Sequence, residues 1–188
     1  MRLTSKFTAI GAAAALFCAV AAVWMLRSGD LTRATAATGQ IRPVWTETEW
    51  PFGVDPWGKG KAFRCNANDC GGEVQLYVRA KLGFCNCTTG VADDTDLEQM
   101  GDLALIGKTT PIGAGREIVV GPMQGRSRAY RVEGNGNAAL SFAFNQRCDM
   151  VAATALVGRG VPGSLEPAVL AFLNSDRMLK WAEIALGL

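Results

Sequence analysis

From Glu73 to Leu82 apolar and polar residues alternate without a break: Val74, Leu76, Val78, Ala80 and Leu82 against Glu73, Gln75, Tyr77, Arg79 and Lys81. A period of two with one apolar face predicts a half-buried β-strand. Similar but less regular patterns predict further strands at Ala62–Asn66, Arg116–Val120, Arg126–Val132, Ala138–Asn145 and Met150–Val157. Between two of these, Glu133-Gly134-Asn135-Gly136-Asn137 predicts a tight hairpin, because Asn and Gly tolerate positive φ.

Elsewhere the period becomes helical. Asp93-Asp94-Thr95-Asp96 caps a short helix running to about Ile106, with Leu97, Met100, Leu103 and Leu105 apolar. Two helices close the chain: Leu165–Leu173 after Ser164, and Arg177–Leu186 after Ser175 or Asp176. Ala168, Leu170, Ala171, Phe172 and Leu173 crowd the first, and Met178, Leu179, Trp181, Ala182 and Leu186 stripe the second. Antiparallel strands with a mid-chain helix and two late helices predict an α+β layer fold; a β-sandwich with helical additions is the alternative.

One stretch fits neither period. Phe7 to Leu26 are 20 positions without a charge, preceded by Arg2 and Lys6 and followed by Arg27 and Asp30. That length just spans a hydrocarbon core of ~30 Å, and the basic N-terminal flank predicts that the rest of the chain is exported. Residues 1–27 are thus a signal anchor or a signal peptide, with small-residue cleavage motifs at Ala19-Val20-Ala21 and Ala34-Thr35-Ala36. The length favours the uncleaved anchor. Cys18 is no lipidation site, since Leu16 and Phe17 are too bulky to precede one. Residues 28–44 are rich in Ser, Thr, Ala and Gly without an apolar period, so they read as a tether to a single domain at 45–188. The Ala-rich segment points to a bacterial inner membrane with the domain in the periplasm; the alternative is a soluble periplasmic protein after cleavage.

Composition narrows the chemistry. Of 188 residues 49% are hydrophobic and 19% charged, enough for a real core and too apolar for a disordered chain. The net charge is +2, from 19 basic and 17 acidic residues. Taking the four basic and one acidic residue of positions 1–37 from these totals leaves 15 and 16, so the exported part has no field that would call for nucleic acid. The chain has no histidine, which removes Ser-His-Asp and Cys-His nucleophiles, histidine-ligated metals and any imidazole base.

Beyond Cys18, the cysteines are Cys65, Cys70, Cys85, Cys87 and Cys148. In an oxidising compartment they predict one or two structural disulfides with one thiol left over. Cys65 and Cys70 can close a small loop, and Cys148 can reach Cys85 or Cys87, which share a face if that segment is extended. The alternative is a copper or zinc carrier ligated by Cys65, Cys70, Cys85 and Cys87. A Cys-x-x-Cys redox motif is missing.

Two features are candidate contact surfaces. Trp45, Trp50, Phe52 and Trp57 fall in an extended segment broken by Pro51 and Pro56, which reads first as a strap covering the sheet and second as an aromatic cleft or membrane-interface contact. Arg126 and Arg128 share a strand face with Tyr130, opposite Arg131, and could hold an anion through bidentate contacts.

Other motifs fall short. Asp94-x-Asp96-x-Glu98 lacks the glycine and closing glutamate of a calcium loop. Gly113-Ala114-Gly115 is no dinucleotide fingerprint, and Asn86-Cys87-Thr88 matches a glycosylation acceptor only formally. A histidine-independent enzyme would have to use carboxylates such as Asp69, Glu73 or Asp149, with no pattern in its favour. The expectation is therefore a membrane-anchored periplasmic domain that binds or helps assemble another envelope protein, without a cofactor.

Overall fold

A computed structural model describes residues 42–83, 87–134, 136–158 and 165–188. Seven strands of the described residues form one antiparallel sheet: β1 (Thr46–Thr48), β2 (Lys61–Cys65), β3 (Val74–Lys81), β4 (Thr109–Val120), β5 (Met123–Val132), β6 (Ala138–Gln146) and β7 (Asp149–Val157). Their order across the sheet is β1-β2-β3-β7-β6-β5-β4. The chain climbs through β1 to β3, crosses to the far edge, and meanders back until β7 closes against β3. That closure is complete, with eight residue pairs from Val74↔Val157 to Lys81↔Met150.

Among the described residues four α-helices accompany the sheet: α1 (Ala67–Cys70), α2 (Asp94–Met100), α3 (Leu165–Leu173) and α4 (Asp176–Leu186). Helices α3 and α4 cover one face. There Leu165, Val169, Leu173, Met178, Ala182 and Leu186 pack on Phe63, Leu76, Val78, Phe142, Phe144, Val151 and Ala153. Burial of such side chains stabilises by about 1.5–3 kcal/mol each, which makes this layer the main core. The second face carries the strap from Trp50 to Trp57 and the crossover with α2. One sheet between two covering layers therefore replaces the sandwich alternative.

The alternation read from Glu73 to Leu82 is real, but the later part of its polar half is not solvated. Tyr77, Arg79 and Lys81 are buried beneath the strap and crossover. The second face can accept this cover because its centre is lined with small side chains, Ala143 and Ala152 on one side and Ser141 and Thr154 on the other. Leu97 of α2 drops onto Ala143, Met150 and Ala152. Gly101 ends α2 against Ser141, whose Oγ lies 2.9 Å from where a Cβ would stand. That close approach excludes a side chain at 101.

Several boundaries differ from those read in the sequence, β5 among them, which starts at Met123 and not Arg126. The mid-chain helix stops at Met100, and a separate 3-10 turn follows at Leu103–Ile106. Gly101 adopts an extended backbone there, and Asp102 is drawn into the sheet instead of continuing the helix. Strand β4 begins seven residues before Arg116, because Pro111, Gly113 and Gly115 hide its period and a register shift between Ile112 and Arg116 interrupts it. The strap opens with a three-residue edge strand, whose Thr46–Thr48 pair with Arg64–Ala62. Asp93 caps α2 as expected, accepting from Asp96 N in a capping box. Residues 7–26 and most of the 28–44 tether, with Cys18, Cys85, Asn135 and Ser164, lie outside the described residues. Among the described residues no helix is long and apolar enough to cross a membrane.

Two disulfides join Cys65 to Cys70 and Cys87 to Cys148. The first closes the α1 turn; the second fastens the start of the crossover to the β6–β7 hairpin. Asp149 accepts from Gly83 N at 2.9 Å and Asn145 from Val91 N at 3.1 Å, so the same hairpin holds the crossover at three points. Loop-closure entropy grows with the sequence span, here 5 residues against 61. The chain-entropy relation gives about 2 kcal/mol for the short bridge and about 4 kcal/mol for the long one. Urea unfolding of Cys65→Ser/Cys70→Ser and Cys87→Ser/Cys148→Ser should therefore rank the second as the larger loss. The reverse order would show that the crossover is held by its hydrogen bonds instead.

Candidate functional site

The strap and the crossover bring together a buried charge cluster. Arg79 donates through Nε and Nη2 to both oxygens of Asp102, at 3.0 and 2.5 Å, and through Nη1 to Asp55 at 2.5 Å. Lys81 Nζ lies 2.9 Å from Asp102 Oδ1 and donates to the Met100 carbonyl at 2.7 Å. Trp50 stacks its ring over the Arg79 guanidinium, and Trp57 over the Lys81 ammonium. Side-chain exposure is only 4%, 5% and 8% for Arg79, Asp102 and Lys81, so this is a desolvated group of charges. Burial alone would weaken the charge on Arg79, but the hydrogen bonds of Asp102 and Asp55 outweigh it and hold its pKa above the ordinary arginine value. Asp55 is held below the usual carboxylate range, first by its hydrogen bond from Arg79. Every charge here is met by an opposite one. The cluster ties strap, sheet and crossover together.

Arg126, Arg128 and Tyr130 form the matching cluster across the trough of alanines. Arg126 pairs with Asp94 at 2.8 Å, and Arg128 with Glu98 at 2.7 Å and with the Gly113 carbonyl at 2.8 Å. Asp94 also accepts from Gly115 N, and this bond, ahead of Arg126, keeps its pKa below the ordinary value of 3.8. Tyr130 is buried, which pushes its phenol up to about 12. The guanidinium forks that the sequence offered to an anion are thus occupied by carboxylates of α2. Asp94, Asp96 and Glu98, the incomplete calcium motif, serve as arginine partners and cap.

The tryptophans separate. Trp45 stacks on Phe172 of α3, with ring centroids 5.1 Å apart. Trp50 packs edge-on against Phe52 and Tyr77. Both act as covers. Trp57 does not: it is 43% exposed and forms one wall of a groove of about 360 Å³ with Pro56, Lys59, Ala80, Leu82, Trp181 and Ala185. Leu82 on the rim is 57% exposed. Sequence reasoning selected Trp57 but missed Leu82, Lys59 and Trp181. Trp181 belongs to the apolar stripe of α4, and the end of the β3 alternation at Leu82 is the one local signal for the groove.

The other chemistry proposed from sequence is dispersed. Cys65, Cys70 and Cys87 are in disulfides, and no cluster among the described residues gathers three or more metal-ligating side chains. Glu73 pairs with Arg64. Asp149 bonds Gly83 N at the opposite end of β3, roughly 30 Å away by strand rise. Asp69 sits in the first turn of α1. Compared with protein-family models and with curated proteins, the chain matches none.

Two predictions follow from the charge clusters. Asp102→Asn should cost about 3–5 kcal/mol in urea unfolding, because it leaves Arg79 and Lys81 buried with too few partners. The exposed Lys59→Ala should stay within about 0.5 kcal/mol. Equal losses would mean that the cluster is not what holds the strap. In acid, Asp55 and Asp94 are lowered from 3.8, so their contribution is present above that pH and is lost as pH falls through their folded values. Asp94→Asn should flatten this acid limb of the stability curve; an unchanged limb would assign it to other carboxylates.

Proposed function

We propose that the chain is a membrane-anchored periplasmic domain whose role is non-catalytic: it binds, or helps assemble, another envelope protein. The observation that carries the binding half is the groove at Trp57, Leu82 and Trp181. Large apolar side chains left exposed together on a rigid scaffold mark interaction sites more often than ordinary surface. The Arg79 and Arg126/Arg128 clusters are paired with carboxylates of the same chain, whereas the groove leaves Trp57 and Leu82 exposed. Export is supported by the two disulfides, which persist in oxidising compartments. Anchoring is supported by the uncharged run from Phe7 to Leu26 with its basic flank.

Carriage of copper or zinc by Cys65, Cys70, Cys85 and Cys87 has less behind it. The sulfurs of Cys65 and Cys70 are bonded to each other and that of Cys87 to Cys148, so metal binding would require two reductions outside the cytoplasm.

The test is intact mass of the natively expressed protein with and without reductive alkylation, alongside carbonate extraction of the membrane fraction. The expected result is a mass that retains residues 1–30, two alkylation-resistant bridges and a carbonate-resistant pellet. A mass starting near Thr38 in the soluble fraction would remove the anchor from the reading. Four free thiols with bound copper or zinc would replace it with metal carriage.

A further inference from the structure

The floor of the groove is a strand edge. Gly158 N donates to Glu73 O at 3.0 Å, so the odd-numbered residues of β3 turn their backbone groups toward β7. The even-numbered ones must then face β2. The position of Val78 O agrees, lying 2.3 Å from where a Gly60 Cβ would stand. But β2 starts at Lys61, opposite Val78. Ala80 therefore directs its N–H and C=O past the end of β2 into the groove, where no backbone partner meets them among the described residues.

The side chains continue the same design. An added strand beside Ala80 would alternate its side chains between the two faces of the sheet. On one face they would meet Trp181, Ala185 and Leu82, and on the other Trp57. Lys59, exposed on the same rim, has no ion-pair partner among the described residues, whereas Lys61 and Lys81 are both paired. A carboxylate on the incoming chain would complement it.

We propose that the groove takes one extended peptide segment of a partner protein, which adds to the free edge of β3 at Ala80, places apolar side chains against Trp57 and Trp181, and sets an acidic residue opposite Lys59. This mode gives affinity through main-chain hydrogen bonds and specificity through pockets for alternate side chains. It rests on the reading of the domain as a partner-binding module and names the partner's chemistry.

The probe is a displayed library of random heptapeptides, panned on the full chain in detergent micelles. Enrichment of sequences with alternating apolar residues and an acidic residue is expected. One synthesised winner should bind at least about tenfold more weakly to Trp57→Ala. Ala80→Pro, which removes an N–H that the β7 ladder does not use, should weaken it similarly. Lys59→Glu is an exposed change that leaves the fold alone and should reverse the preference to basic peptides. No enrichment, or a winner indifferent to both Trp57→Ala and Lys59→Glu, would overturn the proposal. A dimer in light scattering that disappears with Trp57→Ala would give the groove to a second copy. Binding to neutral phosphatidylcholine vesicles lost with Leu82→Asp would give it to lipid. A peptide bound as described by a protein that fractionates in the cytoplasm would keep the groove and discard the envelope reading.

Discussion

The pairing of Arg79 with Asp102 is the contact on which the second layer of this domain depends. Arg79 stands in the middle of the sheet, on β3, and Asp102 belongs to the crossover that carries the chain to the far edge. Their bidentate contact at 3.0 and 2.5 Å fixes the C-terminal end of α2, and Asp55 on the same guanidinium fixes the strap. The other end of α2 is fixed by Asp94 on Arg126. Arg79 and Arg126 lie in one cross-strand row, separated by Ala152 and Ala143. A seven-residue helix is thus stretched between two arginines over a trough of alanines, with Leu97 as its central apolar contact. So short a helix is not stable by its own hydrogen bonds. Its position is set by the sheet.

This arrangement explains why the two faces are built so differently. The α3 and α4 face is held by area: leucines, phenylalanines and valines that need only the right shape. The strap and α2 face is held by charge pairing, where desolvation opposes every contact that is not fully matched. Such a layer gains little net stability from its ions but tolerates few alternative arrangements. Trp50 and Trp57, lying over Arg79 and Lys81, exclude water from the pairs and are oriented by them in return.

Much of the fold was legible in the sequence, because it depends on period and punctuation. The β3 alternation, the late helices, the Asp93 cap and the Cys65–Cys70 loop have local signals, whereas the sequence leaves the partner of Cys148, 61 positions from Cys87, open between Cys85 and Cys87. What the sequence did not reveal is which polar face is wet. Tyr77, Arg79 and Lys81 look like a solvated row on β3, and Arg126 with Arg128 like an open anion site. The first row becomes buried, and the second half-buried and paired, because residues 23 to 32 positions away, Asp102, Asp55 and Asp94, arrive over them. Charge pairing across such distances leaves no periodic trace. The same holds for the groove, which arises because β2 is shorter than β3.

That mismatch in strand length has a structural cause. Gly60 approaches Val78 O and the Trp50 ring so closely that no side chain fits, and before it the chain turns away at Gly58 to carry Trp57 over Lys81. Had β2 continued for two more residues, it would have satisfied Ala80 and closed the edge. Instead the strap leaves the sheet to reach the Arg79 cluster, since Asp55 must lie beneath Nη1. The charge cluster and the open edge are therefore two consequences of one path. The residues that seal the second face are the ones that leave β3 exposed between Trp57 and Trp181, so the position of the groove is tied to the pairing that orders the layer.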